Sequence, residues 1–174
     1  MLDIRMFQPH EWSLYRDLRL ASLADAPGAF GSTLALEEAF SDDDWLTRIT
    51  HGTASALDLP LVAEVDGRPA GLCWVRIDPS DASVARLHQV WVHPDARRHG
   101  VARRMLHAAM HWARATGAST MALTVSAEPA ARLYRRAGFV DVGTPYPLRE
   151  GLELLQQEMH CDLTAHPDAG QSRR

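Results

Sequence analysis

Up to Leu163 the chain is patterned almost without a break, and the period of its apolar residues changes from segment to segment. Leu2 to Met6 alternates and predicts a short first strand. From Pro9-His10-Glu11, a Pro and an acid placed as at a helix start, Leu14, Leu18, Ala21 and Leu23 trace one apolar helical face. That face stops at Asp25-Ala26-Pro27-Gly28. Residues 29–40 are irregular, with Phe30, Leu34, Leu36 and Phe40 around Glu37-Glu38. Ser41-Asp42-Asp43-Asp44 reads as a capping box before a short helix through Trp45, Leu46 and Ile49, closed by His51-Gly52. The acid triplet is therefore expected to be a solvated cap and not a metal site.

Leu61–Val65 and Ala70–Ile77 flank Asp66-Gly67, a hairpin signal that leaves Pro69 at the margin of its strand. A β-branched and aromatic run over 84–92 predicts another strand, closed by His93-Pro94-Asp95. The next segment opens a helix at Arg97–Ala102, with Val101, Met105, Ala108 and Trp112 recurring on one face and Gly117 after its end. A strand over 119–125 follows, then a short helix at 130–136 entered through Glu128-Pro129 and ended by Gly138. Strands at 139–142 and 156–163 are expected to pair across the 143–152 loop. Hairpin-linked strands followed by crossover helices imply an α/β fold. Its mixed sheet should have about six or seven strands with helices on both faces. The strand–helix–strand unit at 84–125 predicts a parallel pair. Residues 1–163 read as one domain and 164–174, polar and small, as a disordered tail.

Composition narrows the function. A net charge of −4 over 174 residues argues against a nucleic-acid partner. No apolar run approaches the ~20 residues that span a bilayer, and Met1–Ile4 leads straight into polar residues with no signal peptide. Cys73 and Cys161 stand alone in strand-like runs, as reduced packing residues of a cytoplasmic protein do. His107 and His111 lie four apart but lack the glutamate and third ligand of a helical zinc site, so no metal is expected.

The chemistry concentrates at Arg97-Arg98-His99-Gly100-Val101-Ala102-Arg103. A strand that feeds an arginine-rich, Gly-containing turn and then a helix gathers unpaired N–H groups and positive charge at one point, which suits phosphate oxygens. A solvated basic helix start would look the same. A dinucleotide loop needs G-x-G-x-x-G and an NTP loop needs Gly-Lys-Ser/Thr, and neither is present.

R-x-x-G-x-A after a V-x-V strand resembles the acetyl-CoA pyrophosphate loop of the GNAT N-acetyltransferase superfamily. One strand later, Ala130-Ala131-Arg132-Leu133-Tyr134-Arg135-Arg136-Ala137-Gly138-Phe139 resembles that family's A-x-x-L-Y-x-x-x-G-F signature. The resemblance covers about residues 1–163 and implies the GNAT acyl-CoA N-acyltransferase fold. In that fold the strand ending Val90-Trp91-Val92 splays from 120–125, and the pantetheine arm of acetyl-CoA enters the V. It further implies that pyrophosphate sits on the N–H groups of 98–102, with charge from Arg97, Arg98 and Arg103. A backbone N–H near Val90 or Val92 would stabilise the oxyanion, and Tyr134 would return a proton to the leaving thiolate.

Three departures stand out. Ala127 replaces a common Asn, Ala102 replaces the second loop Gly, and Arg86 stands where some members carry a basic glutamate. His88, Glu37 or Glu38 are the substitutes for that base, or the amine loses its proton through water. Glu37, Glu38 and Asp42 are expected to draw a cationic acceptor. The resemblance implies an acetyl-CoA-dependent N-acetyltransferase for a small-molecule primary amine. A protein N-terminus or lysine, or a non-catalytic acyl-CoA-binding role, are the alternatives. Family habit and the two terminal strands suggest a homodimer.

Overall fold

The computed structural model describes residues 1–165. A seven-stranded sheet runs from β1 (Leu2–Met6) through β2 (Asp58–Val65), β3 (Arg68–Asp78), β4 (Asp81–Val92) and β5 (Thr120–Val125) to β6 (Val140–Pro147) and β7 (Leu155–Asp162). In space the order is β1-β2-β3-β4-β5-β7-β6, so β7 is inserted between β5 and β6. Only β4 and β5 are parallel, as the helical crossover between them requires. Residues 166–174, most of the expected disordered tail, lie outside the described residues.

Two cores form on the two faces. On one, α4 (Val101–Thr116) and α5 (Glu128–Arg136) cover Cys73, Val75, Leu87, Met121, Leu123 and Met159. On the other, α1 (Trp12–Asp25) and α3 (Asp42–Ala54) pack on Val62, Leu72, Trp74 and Trp91. Tyr15 is the centre of this second core, with its ring 5.5 Å from Phe7, 5.7 Å from Trp45 and 5.6 Å from Trp74. A short α2 (Leu34–Glu38), capped by the Thr33 hydroxyl, lies between α1 and α3.

The Asp66-Gly67 turn forms as expected, both residues at positive φ (50° and 75°), the conformation of a tight hairpin turn. Ser41 and Asp44 form the expected capping box. Several boundaries differ. α3 does not close at His51-Gly52 but runs on to Ala54, because Gly52 is where the helix rests on Trp74. A Cβ there would stand 2.3 Å from the indole ring. α4 starts at Val101, not Arg97, and its buried face is Val101, Met105, Leu106, Ala109, Met110 and Ala113. Ala108 and Trp112 lie on its margin. The buried face of α1 is Tyr15, Leu18, Arg19, Ser22 and Leu23, with Leu14 and Ala21 at its flank. A helix that buries an arginine needs a partner from elsewhere in the chain, and Glu37 is that partner.

β4 carries the feature that shapes the site. His88 pairs with Trp74 and Trp91 with Leu72, so Gln89 and Val90 together oppose Cys73. This β-bulge puts Gln89 at φ 57°. It also switches the phase of the strand. Before it, Ala85 and Leu87 face the α4 core; after it, Val90 and Val92 do, and Trp91 joins the opposite core.

Candidate active site

β4 and β5 pair only from Val84↔Thr120 to Arg86↔Ala122. Beyond Arg86 the strands part, leaving the facing backbone groups of Leu87–Val92 and Leu123–Val125 unbonded to each other. Two cavities open along this gap. The first, about 280 Å³, lies between the strands and is lined by Leu87, His88, Gln89, Thr124 and Ser126, with Arg19 and the 29–32 loop on its far wall. The second, about 490 Å³, lies against the start of α4 and is lined by Val92, Arg97, Arg98, Gly100–Arg103, Pro129 and Leu133. Val90, Ala127, Ala130 and Tyr134 line both. The two spaces therefore meet at the Tyr134 side chain.

Tyr134 is 6% exposed and packs against Phe139 at 5.7 Å between ring centroids. Its hydroxyl has no hydrogen-bond partner among the described residues, and burial pushes its pKa well above the ordinary phenol value. Such a phenol stays protonated at neutral pH, as a proton donor must. His88 projects into the first cavity. Desolvation by the cavity walls and the nearby charges of Arg86 and Arg76 lower its pKa, so it is neutral at pH 7.

At the second cavity, Gly100 caps α4 in the left-handed conformation (φ 77°), with no side-chain cap and no acid in the first turn. The N–H groups of Val101, Ala102 and Arg103 therefore face outward, unpaired within the helix. Arg98 sits in the same loop, also at positive φ (66°), and Arg103 reaches back over Gly100. This arrangement has the donors, the positive dipole end and the open space to hold a pyrophosphate.

Several expected site residues stand elsewhere. Glu37 is not in the cavity. It is 3% exposed, held by Arg19 at 2.8 Å and Arg48 at 3.4 Å. Burial pushes its carboxyl up, but the two guanidinium groups outweigh that and hold it below the ordinary range. A carboxylate committed to two cations is a structural ion pair and not a base. Asp42 pairs with Arg16 at 3.2 Å, and neither it nor Glu38 lines the cavity, so the expected acidic lure is not built there. Arg97 is tied down as well: its Nε donates to the Val92 carbonyl at 3.1 Å and its Nη2 to Asp25. His99 lines a separate groove with His93, Asp95 and Arg68, leaving only its backbone near the loop. Arg86, where some family members carry a glutamate, is fixed by Asp78 at 3.0 Å and Glu158 at 3.2 Å.

Four residues that shape the site gave little sign in the sequence. Asp25 accepts from Trp91 Nε1 at 2.8 Å and from Arg97, and these contacts, the indole first, hold its carboxyl below the ordinary range. It clamps the end of α1 to the end of β4. Gln89 accepts from the Tyr15 hydroxyl at 2.9 Å, which fixes the bulge. Ser126 donates to the Gly28 carbonyl, and Arg149 to the carbonyls of Phe30 (2.9 Å) and Ser32 (3.3 Å), fastening the loop that walls the first cavity.

Residues 20–139 match the family model described as Acetyltransferase (GNAT) family. The chain belongs to the GNAT acetyltransferase family. It is thus an acetyl-CoA-dependent N-acetyltransferase by family, and solved structures carry the same fold. A GNAT-family acetyltransferase from Streptococcus pneumoniae is similar at 22% identity and TM-score 0.77, over 92% of this chain and 98% of that one. YncA of Salmonella typhimurium, solved with its cofactor acetyl-CoA, is similar at 22% identity and TM-score 0.75, over 97% and 99%. A spermidine N-acetyltransferase from Vibrio cholerae, in complex with CoA and spermine, is similar at 17% identity and TM-score 0.75, over 93% and 95%. No curated protein matches the sequence of this acetyltransferase.

Proposed function

We propose that the enzyme transfers the acetyl group of acetyl-CoA to the primary amine of a small molecule, by direct attack within a ternary complex. The observation that carries this reading is the meeting of the two cavities at Tyr134 and Val90. In this reading the second cavity takes the cofactor, its pyrophosphate on the N–H groups at the start of α4. The unbonded edge of β4 receives the pantetheine amide groups, as an added strand would. The first cavity takes the acceptor. Its volume, about 280 Å³, is just below the ~300–1,000 Å³ of most ligand sites, which favours a small acceptor group.

The amine nitrogen attacks the thioester carbon, a C–N bond forms and the C–S bond breaks. The Val90 or Val92 N–H stabilises the oxygen that gains charge. Tyr134 gives its proton to the departing sulfur. The amine's surplus proton passes to His88, a neutral imidazole in the acceptor cavity, or to water. Free thiol should therefore appear from acetyl-CoA in the presence of suitable amines, and its absence across a broad amine panel would sink the reading. With an amine that is unprotonated throughout, kcat/KM should fall as pH drops below about 6.5 and His88 takes up a proton. Its lowered pKa places that fall on the acid side of the usual imidazole value. His88→Gln should lower the plateau and remove the limb; an unchanged profile would assign proton removal to water.

The enzyme is further proposed to pair through its terminal hairpin. β6 is an edge strand exposed along its whole length, with Val140, Val142 and Tyr146 bare, and such an edge invites a second copy. Light scattering should give twice the 19.3 kDa chain mass; a monomer at high concentration would dispose of the pairing.

A further inference from the structure

The acceptor cavity contains a charge that acetyl transfer does not use. Arg19, on α1, is 4% exposed and bonded to Glu37, Nη2 to Oε1 at 2.8 Å and Nε to Oε2 at 3.1 Å. Its third nitrogen, Nη1, is shut off from solvent and has no hydrogen-bond partner among the described residues. Arg19 also lines the cavity, and its guanidinium stacks 4.8 Å from the ring centroid of Phe30, another lining residue.

Folded proteins seldom leave a buried guanidinium N–H without an acceptor, and an exception calls for an explanation; beside an open cavity, an acceptor that arrives from outside is one. The charge balance indicates what kind. Arg19 and Arg48 share the single carboxylate of Glu37, so the group keeps one positive charge in excess. Among the described residues no Asp or Glu lines the cavity, and the other titratable residues there are His88 and Tyr134. A planar guanidinium with free N–H groups is matched by a carboxylate or a phosphate, and of the two a carboxylate is the smaller.

We propose that the acceptor carries a carboxylate beside its amine, and that Arg19 receives this carboxylate while the amine faces Tyr134 and Val90. The proposal rests on the N-acetyltransferase reading above and gives its acceptor class: a small aminocarboxylate such as an α-amino acid. Because Nη1 is closed off in the free protein, the cavity wall beside it, which includes the stacked Phe30, yields slightly as the carboxylate enters. A polyamine would bring two or more cations to a wall that offers no acid, and is disfavoured by the same field.

The test is thiol release from acetyl-CoA by the full chain, with α-amino acids each set beside its own carboxamide, and spermidine as the polycation. The carboxamide's amine is the more acidic and more of it is neutral, so intrinsic reactivity favours the amide. Arg19 should reverse that order, with kcat/KM for the best amino acid about ten to a hundred times that of its amide, as expected for a charge-assisted pair. In the double variant Arg19→Gln/Glu37→Gln, which leaves no buried charge at either position and frees only the part-exposed Arg48, the ratio should fall to about one or below. An amide as good as its acid in the parent, spermidine as the best acceptor, or a preference that survives the double variant would each overturn the proposal while leaving the N-acetyltransferase reading standing. Turnover of no amine at all would overturn that reading, and this inference with it. Should the double variant not fold, the acid–amide comparison in the parent protein decides alone.

Discussion

Tyr134→Phe should lower turnover by about 10²–10⁴-fold, the usual worth of a positioned general acid, while leaving fold and cofactor affinity in place. The substitution keeps the ring, and with it the contact to Phe139 and the burial under α5. The hydroxyl that it removes has no hydrogen-bond partner among the described residues, so no bonded group is orphaned. A thermal melt and acetyl-CoA calorimetry should therefore match the parent, and only the chemical step should suffer. Acyl donors whose thiol is more acidic should recover part of the loss, because their sulfur needs less help in leaving. A tyrosine that merely packs predicts the reverse, with a lower melting temperature and full turnover per folded molecule. Normal turnover of the Phe variant on a good acceptor would remove Tyr134 from the reaction.

Gly100→Val should abolish the thermal stabilisation that acetyl-CoA gives, the second large effect. The parent should melt higher with acetyl-CoA, since a ligand bound only by the folded state stabilises it by mass action. Crowding within the protein is not the reason for the loss. A Cβ at this position meets nothing nearer than Arg103 Nη2 at 3.8 Å. The difficulty is the backbone: φ of 77° suits glycine. A side chain there costs on the order of 1–2 kcal/mol, and a β-branched one more. Escape from that strain turns away the N–H groups of the first turn, and a retained conformation puts a branched side chain where pyrophosphate must approach. Either way affinity should fall by more than the tenfold that about 1.4 kcal/mol represents. Gly100→Ala should fall between. Calorimetry giving the Val variant the parent's affinity would show that phosphate binds elsewhere.

Periodicity and turn chemistry were enough to find every strand among the described residues, the four longer helices and the parallel β4–β5 pair, because each is encoded within a few neighbouring residues. The spacing of Arg97, Gly100 and Tyr134 was readable for the same reason. What escaped depends on partners far away in sequence. Arg19 sits on an apolar helical face and looks like a surface charge until Glu37, brought in by the short helix α2, is seen to bury with it. Glu37 in turn looked like a free acid. The bulge at Gln89 carries no Gly or Pro to announce it, and the Gln89 side chain is held by a hydroxyl on Tyr15, 74 positions earlier. α3 outran its expected end at Gly52 because that glycine serves an indole from β3 and not a helix stop. Asp25 read as part of a stop signal, though its carboxylate holds the tip of β4.

The placing of β7 inside the sheet bears on how the chain is made. During synthesis β1 through β5 emerge first, but the far edge of β5 gains its neighbour only when Leu155–Asp162 has left the ribosome. Until then Met121, Leu123 and Val125 stand at an unpaired edge next to a half-covered core. A nascent chain stalled before this point offers a sticky unpaired β5 edge, where chaperone engagement or aggregation should concentrate. Termination mutants that lose β7 should accumulate as insoluble protein and not as a weakened enzyme.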